Sequence, residues 1–151
     1  MKIRNIMTAI LLVLGMTAMA QETFKVRIEN KEYSVFMDLN LYEETIKIPG
    51  QEILGETFGY LKKTNDSRVW IVTGVEVDAD GRKATLEITN DYGSEDLIAT
   101  LTLNADGTYT LRQESGSTLK VAGKSKWVKL PKTLTFKIEG FKNLRIEELK
   151  D

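Results

Sequence analysis

The chain has 151 residues and contains neither cysteine nor histidine. Without cysteine there are no disulfides, so an exported form must fold on its hydrophobic core alone, which a chain of this length can supply. The same absence excludes lipid attachment at a leader-cleavage cysteine. Without histidine, Ser-His-Asp catalysis and histidine bases have no residue to act through. With both missing, zinc sites of the Cys/His kind are excluded as well. Charge of one sign is also scarce. Lys and Arg number 21 against 22 Asp and Glu, a formal charge of −1. This balance gives no electrostatic reason to propose nucleic acid or an anionic membrane surface. Long apolar runs are lacking too, and residues 10–14 are too few to span a bilayer.

The chain opens with MKIRNIMTAILLVLGMTAMA, where Lys2 and Arg4 precede the apolar run and Ala18-Met19-Ala20 follows it. This pattern is that of a secretory signal peptide. Residues 1–20 are therefore expected to be a leader and residues 21–151 a single β domain. Removing the leader takes two basic residues and no acid, so the charge becomes −3. The processed chain is expected to be soluble in the periplasm or outside the cell, not a lipoprotein and not inserted in a membrane.

From Gln21 onward the dominant period is two. Phe24, Val26 and Ile28 alternate with charged residues, as do Tyr33, Val35, Met37 and Leu39 with their neighbours. Leu86 and Ile88, then Leu97, Ala99, Leu101 and Leu103, continue the pattern, and Leu134, Phe136 and Ile138 close it. The segment RVWIVTGVEV at residues 68–77 is rich in β-branched residues and apolar on both faces, which predicts a central strand covered on both sides. Trp70 falls out of phase with Val69, Ile71, Thr73 and Val75 and is expected on the opposite face. Residues 50–57 read as a loop, and residues 142–150 as a terminal strand or a short helix. Many short strands with turn signals every eight to twelve residues predict an all-β fold, either a barrel or a sandwich.

Residues 76–87, EVDADGRKATLE, place acids and a glycine at the positions of a helix–loop–helix calcium loop. The flanks are strand-like rather than helical, and Lys83 stands at a normally apolar position. Asn104-Ala105-Asp106-Gly107 repeats the same Asx-Ala-Asp-Gly chemistry between two apolar runs. Both are expected to be hairpin turns in which Gly takes φ > 0. The acidic loop TNDYGSED, with Asp91, Glu95 and Asp96, could hold a hard cation or be a third turn, and the turn is favoured. No metal and no cofactor are expected.

Catalytic signatures are few: there is no G-x-S-x-G elbow, and 22 acids rank no carboxylate pair above another. The aromatic residues suggest binding instead. Trp70, Tyr60, Tyr109 and Trp127 are the candidate ligand-binding residues, with Tyr92 a further aromatic that could line a cavity. The alternative for Trp70 is packing under a loop.

The segments IPGQEILGETFGYL (48–61), ITNDYGSEDLIATLTLNADGTYTLRQ (88–113) and KWVKLPKTLTFK (126–137) resemble those of a family of small exported β proteins from the Bacteroidota, grouped loosely with lipocalin-like proteins. The resemblance covers most of residues 24–138 and implies an antiparallel meander closed into a lipocalin-like barrel. It brings no catalytic or binding residue with it. Three functions follow as expectations. The first is a non-catalytic binding protein for a small apolar or amphipathic ligand. The second is a structural or protein-interaction module of the cell envelope. The third is a carboxylate-dependent hydrolase. Processing gives the first testable outcome: N-terminal sequencing of the exported protein should begin at Gln21, and a start at Met1 or inside residues 24–29 would contradict the leader.

Overall fold

A computed structural model describes residues 22–139, so the leader at 1–20 and the segment 142–150 lie outside the described residues. Eight antiparallel strands form a closed barrel. In chain order the strands are β1 (Lys25–Asn30), β2 (Val35–Asn40), β3 (Ile46–Lys47), β4 (Glu56–Thr57), β5 (Gly59–Lys63), β6 (Val69–Val77), β7 (Lys83–Asn90), β8 (Asp96–Leu103), β9 (Tyr109–Gly116), β10 (Lys120–Ala122), β11 (Trp127–Lys129) and β12 (Thr133–Ile138). Around the barrel the order is β1-β2-β5-β6-β7-β8-β9-β12, with β12 returning to β1. Every neighbour in the sheet is thus the next barrel strand in the chain. The meander, with its barrel closed, is the lipocalin-like arrangement expected, and the sandwich is set aside.

The period-two pattern determines which side chains face inward. Ile28, Met37, Leu39, Leu61, Leu86, Ile88, Leu101, Leu111 and Phe136 fill the lumen, and none is more than 1 % exposed. Between them, Arg27, Glu29, Lys83, Glu87, Arg112 and Lys137 alternate outward. An apolar interior inside a charged exterior is the reverse of a lipid-facing barrel.

The barrel closes at a short seam. Only Ile28↔Ile138 and Glu29↔Lys137 pair β1 with β12. Past the last pair, the Asn30 side-chain amide donates to Thr135 O at 2.9 Å, standing in for a ladder bond.

Two small hairpins are inserted into the meander. β3 and β4 lie against the outside of β2, β5 and β6, where Ile48, Tyr60, Val69 and Ile71 form a second small core with Phe36 and Ile46. Residues 50–57, expected to be a loop, carry one 3-10 turn, Glu52–Leu54, and end in the two residues of β4. β10 and β11 cover the barrel mouth at the β5–β6 and β7–β8 turns, and Leu119, Val121 and Leu130 join the main core from this lid. At the opposite end Phe24, Leu41 and Tyr109 close the lumen.

Strand β6 shows why its phase is hard to read. Trp70 and Val72 face the lumen, while Val69 and Ile71 face the outer core. A bulge between Val72 and Gly74 then shifts the register by one. Beyond it Val75 and Val77 pack against the main core. Val75 is therefore on the Trp70 side, not the Val69 side as the unbroken alternation predicts, because one extra residue swaps the faces. The double coverage also stops there, since Thr73 and Glu76 are exposed.

The calcium-like segment is a turn. Gly81 N–H donates to Asp78 O at 2.9 Å, Asp78 N–H to Lys83 O at 2.8 Å, and Gly81 has φ 73°. The Asn104 turn repeats this, with Gly107 N–H on Asn104 O at 3.0 Å and φ 86°. A β-carbon is sterically penalised in this region by about 1 kcal/mol or more. Gly81→Val and Gly107→Val should each lower the melting temperature by several degrees. Melting curves that superpose on wild type would contradict the turn assignment.

Candidate functional site

The lid must be held over a mouth lined by cut strand ends, and three side chains do this. Gln113, the last inward residue of β9 before its bulge, accepts Leu119 N–H at 2.7 Å and donates to Pro131 O at 3.0 Å. Its amide is nearly fully buried and serves both ends of the lid. Trp70 Nε1–H donates to Lys120 O at 3.0 Å, and Lys63 Nζ donates to Ala122 O at 2.6 Å. The two accepting carbonyls lie on β10, on the side away from β11, so the lid's inner edge is tied to the rim.

Where the lid leans out from the rim it leaves a groove of about 140 Å³. Its floor is Trp70, Val69 and Val121. Trp70 is only 6 % exposed, whereas Trp127 and Tyr92 on the walls are 49 % and 81 % exposed. The Arg68 guanidinium stacks on the Trp127 ring, its carbon 4.6 Å from the centroid, and Lys120 Nζ lies 5.7 Å from the same ring. Such cation–π contacts fix the ring without covering its edge.

Two ion pairs form in the groove. Arg68 Nε and Nη2 hold both oxygens of Asp66, at 3.1 and 3.2 Å. The Arg68 hydrogen bonds hold the Asp66 carboxyl below its ordinary pKa, and Asp66 in turn raises that of Arg68. Lys120 Nζ meets Glu95 Oε1 at 3.0 Å. A carboxyl that ionises more readily is poorly suited to general-acid chemistry. Among the described residues no group of three acids is placed to hold a metal ion. The TNDYGSED loop is a third turn: Gly93 has φ 71°, and Asn90 Oδ1 accepts Ser94 N–H at 2.9 Å.

Of the four expected binding residues, the structure brings Trp70 and Trp127 together and separates the other two. Tyr60 points out of the barrel, packed edge-on to Phe36 with ring centroids 5.9 Å apart beneath β3 and β4. Burial raises its pKa, with Asp38 adding to the shift. Tyr109 is at the far end of the lumen, where its hydroxyl donates to Thr23 O at 2.6 Å. Burial raises its pKa too, followed by the influence of Tyr42. Both tyrosines are structural members of their cores. Tyr92 joins the site, and so does Arg68. Nothing local marks Arg68 as a partner of Trp127, since 59 positions separate them.

Two wider hollows lie elsewhere. One is on the outside of β6 to β9 near Thr73 and Glu87, and the other is beside Gln113 and Lys132. Neither is lined by an aromatic ring. No family model, no curated protein and no solved structure matches this chain.

The Asp66–Arg68 pair has a definite pH signature. The folded pKa of Asp66 is depressed, so its contribution is complete above the unfolded-state value near 3.9 and is lost as pH falls through the lower folded value. A carboxyl-carbon NMR titration should place the Asp66 midpoint below that of a free aspartate. Asp66→Asn should destabilise by at most about 1 kcal/mol at pH 7, with the difference vanishing in strong acid. A midpoint at or above the free value would show that Arg68 does not hold this carboxyl.

Proposed function

We propose that the protein is a non-catalytic binding protein and that its ligand sits in the groove between the lid and the rim. The observation that carries this reading is the pair of solvent-open aromatic walls, Trp127 and Tyr92, standing over the apolar floor of Trp70. The lumen of a barrel this size can be filled by its own side chains or hold one small ligand, and here the side chains fill it. Binding is therefore argued at the mouth rather than inside. A groove of about 140 Å³ suits a group about the size of one ring. Its apolar floor and charged walls suit an amphipathic ligand that packs an apolar face against the Trp127 edge and Tyr92 and turns a polar edge toward Lys62.

The second reading, an interaction module of the envelope, is favoured by the same filled lumen and by β11, which pairs on one side only. The hydrolase has less support. Of the three groove acids, Asp66 and Glu95 are each engaged by a base, and Asp91 accepts from the Gln51 amide.

Titration with a fluorescent apolar probe tests the binding reading. Saturable binding in the low-micromolar range is expected, weakened roughly tenfold or more by Trp127→Ala. Trp127 is the variant of choice because Trp70→Ala would remove a buried ring at a cost of about 3–5 kcal/mol. Absence of saturable binding, or equal affinity in Trp127→Ala, would contradict the groove.

A further inference from the structure

The near-neutral total charge conceals a segregation. Residues 115–138 contain six lysines and no Asp or Glu. The other described residues carry 10 basic against 19 acidic side chains. Three of the six, Lys124, Lys126 and Lys129, are exposed on the lid hairpin. Lys62, Lys63, Arg68 and Lys120 stand on the same rim. Of the rim acids, Asp66 is paired with Arg68 and Glu95 with Lys120, while Asp91 accepts from the Gln51 amide.

Among the described residues, the same end of the barrel carries most of the large apolar side chains left in water. Ile53 is 96 % exposed at the tip of the β3–β4 connection, with Leu54 beside it. That tip is tied to this rim, because Gln51 Nε2 donates to Ser67 O at 3.4 Å and to Asp91 Oδ2 at 3.5 Å. Tyr92, Trp127 and Val128 are exposed around the groove. Ile53, Tyr92 and Trp127 stand on three different connections, which makes the patch a crown rather than one sticky loop.

From this geometry we infer that the lid end is a docking surface for an anionic lipid bilayer, with the barrel standing on it. The inference does not depend on a ligand in the groove. Lysines attract an anionic leaflet from a distance, and exposed Trp and Tyr rings with one protruding aliphatic residue enter the headgroup region. Charge and apolar exposure coincide at one end, and a bilayer surface meets both at once. An acidic peptide strand added to β11 would meet the lysines alone and leave Ile53 and Tyr92 in water. Lys129 at the end of this three-residue edge strand, with Lys126 just before it, also discourages strand addition.

Cosedimentation of the chain purified after export, with vesicles of phosphatidylcholine alone or mixed with phosphatidylglycerol, tests this. Binding is expected to the mixed vesicles only and to weaken as salt is raised. Combined Lys124→Glu, Lys126→Glu and Lys129→Glu should reduce it at least tenfold. Ile53→Ser, at a position with no packing to lose, should weaken it separately. No cosedimentation, equal binding to both vesicles, or full retention by the triple variant would overturn the inference. So would capture of soluble polyglutamate that the triple variant loses while vesicle binding stays unchanged, which would assign the lysines to an acidic polypeptide.

Discussion

An eight-stranded barrel is wide enough to be filled by its own side chains or to hold one small ligand, and here the side chains fill it. That constraint organises this molecule. Leu61, Leu86, Leu101, Leu111 and Phe136 occupy the lumen and are fully buried, so both ends must be closed to keep water off them. Phe24, Leu41 and Tyr109 close one end, and the β10–β11 lid closes the other. The lid is too short to be stable as an isolated hairpin. It is held by Gln113, Trp70 and Lys63, each spending a side-chain hydrogen bond on a backbone group of the lid segment. The groove exists because the lid meets the rim at those points and stands away from it elsewhere. Fold and candidate site therefore share one cause, and with the interior filled the open aromatic surface lies at the mouth.

The fold was largely legible because its signal is local. Strands β7, β8 and β12 are half-buried, and their alternation maps directly onto burial. The three Asx-to-Gly turns were legible for the same reason, since turn chemistry is decided within a few residues. Two features escaped. The bulge at Thr73–Gly74 reverses which face Val75 and Val77 occupy, and its only local trace is a glycine inside a strand. Strand β11 has three residues, all exposed, and so carries no burial pattern to read.

The site was legible only in part. Trp70 could be assigned to the face opposite Val69 from phase alone, and its place on that face is the lumen beneath the lid. Tyr60 and Tyr109 looked equivalent to it in the sequence, since an aromatic residue in an alternating strand has one phase whether it borders a cavity or a packed core. Their separation follows from which elements cover them, β3 and β4 in one case and the N-terminal Phe24 in the other. The stacking of Arg68 on Trp127 depends on the return of the chain after β9, a long-range event that no local pattern encodes. The segregation of lysines into residues 115–138 was present in the sequence from the start, but a net charge averages it away.

The central claim is that the chain binds at its mouth while its lumen stays packed. The molecule has two tryptophans, one in each place, which makes the indole N–H signals a direct reporter. In a proton–nitrogen NMR titration with the fluorescent probe, the Trp127 indole signal should shift with saturation. The Trp70 indole proton should stay slow to exchange with solvent, held on Lys120 O at 3.0 Å. A Trp70 proton that begins to exchange rapidly as the probe binds, with Trp127 unmoved, would mean that the lid opens and the ligand enters the barrel, contradicting the account.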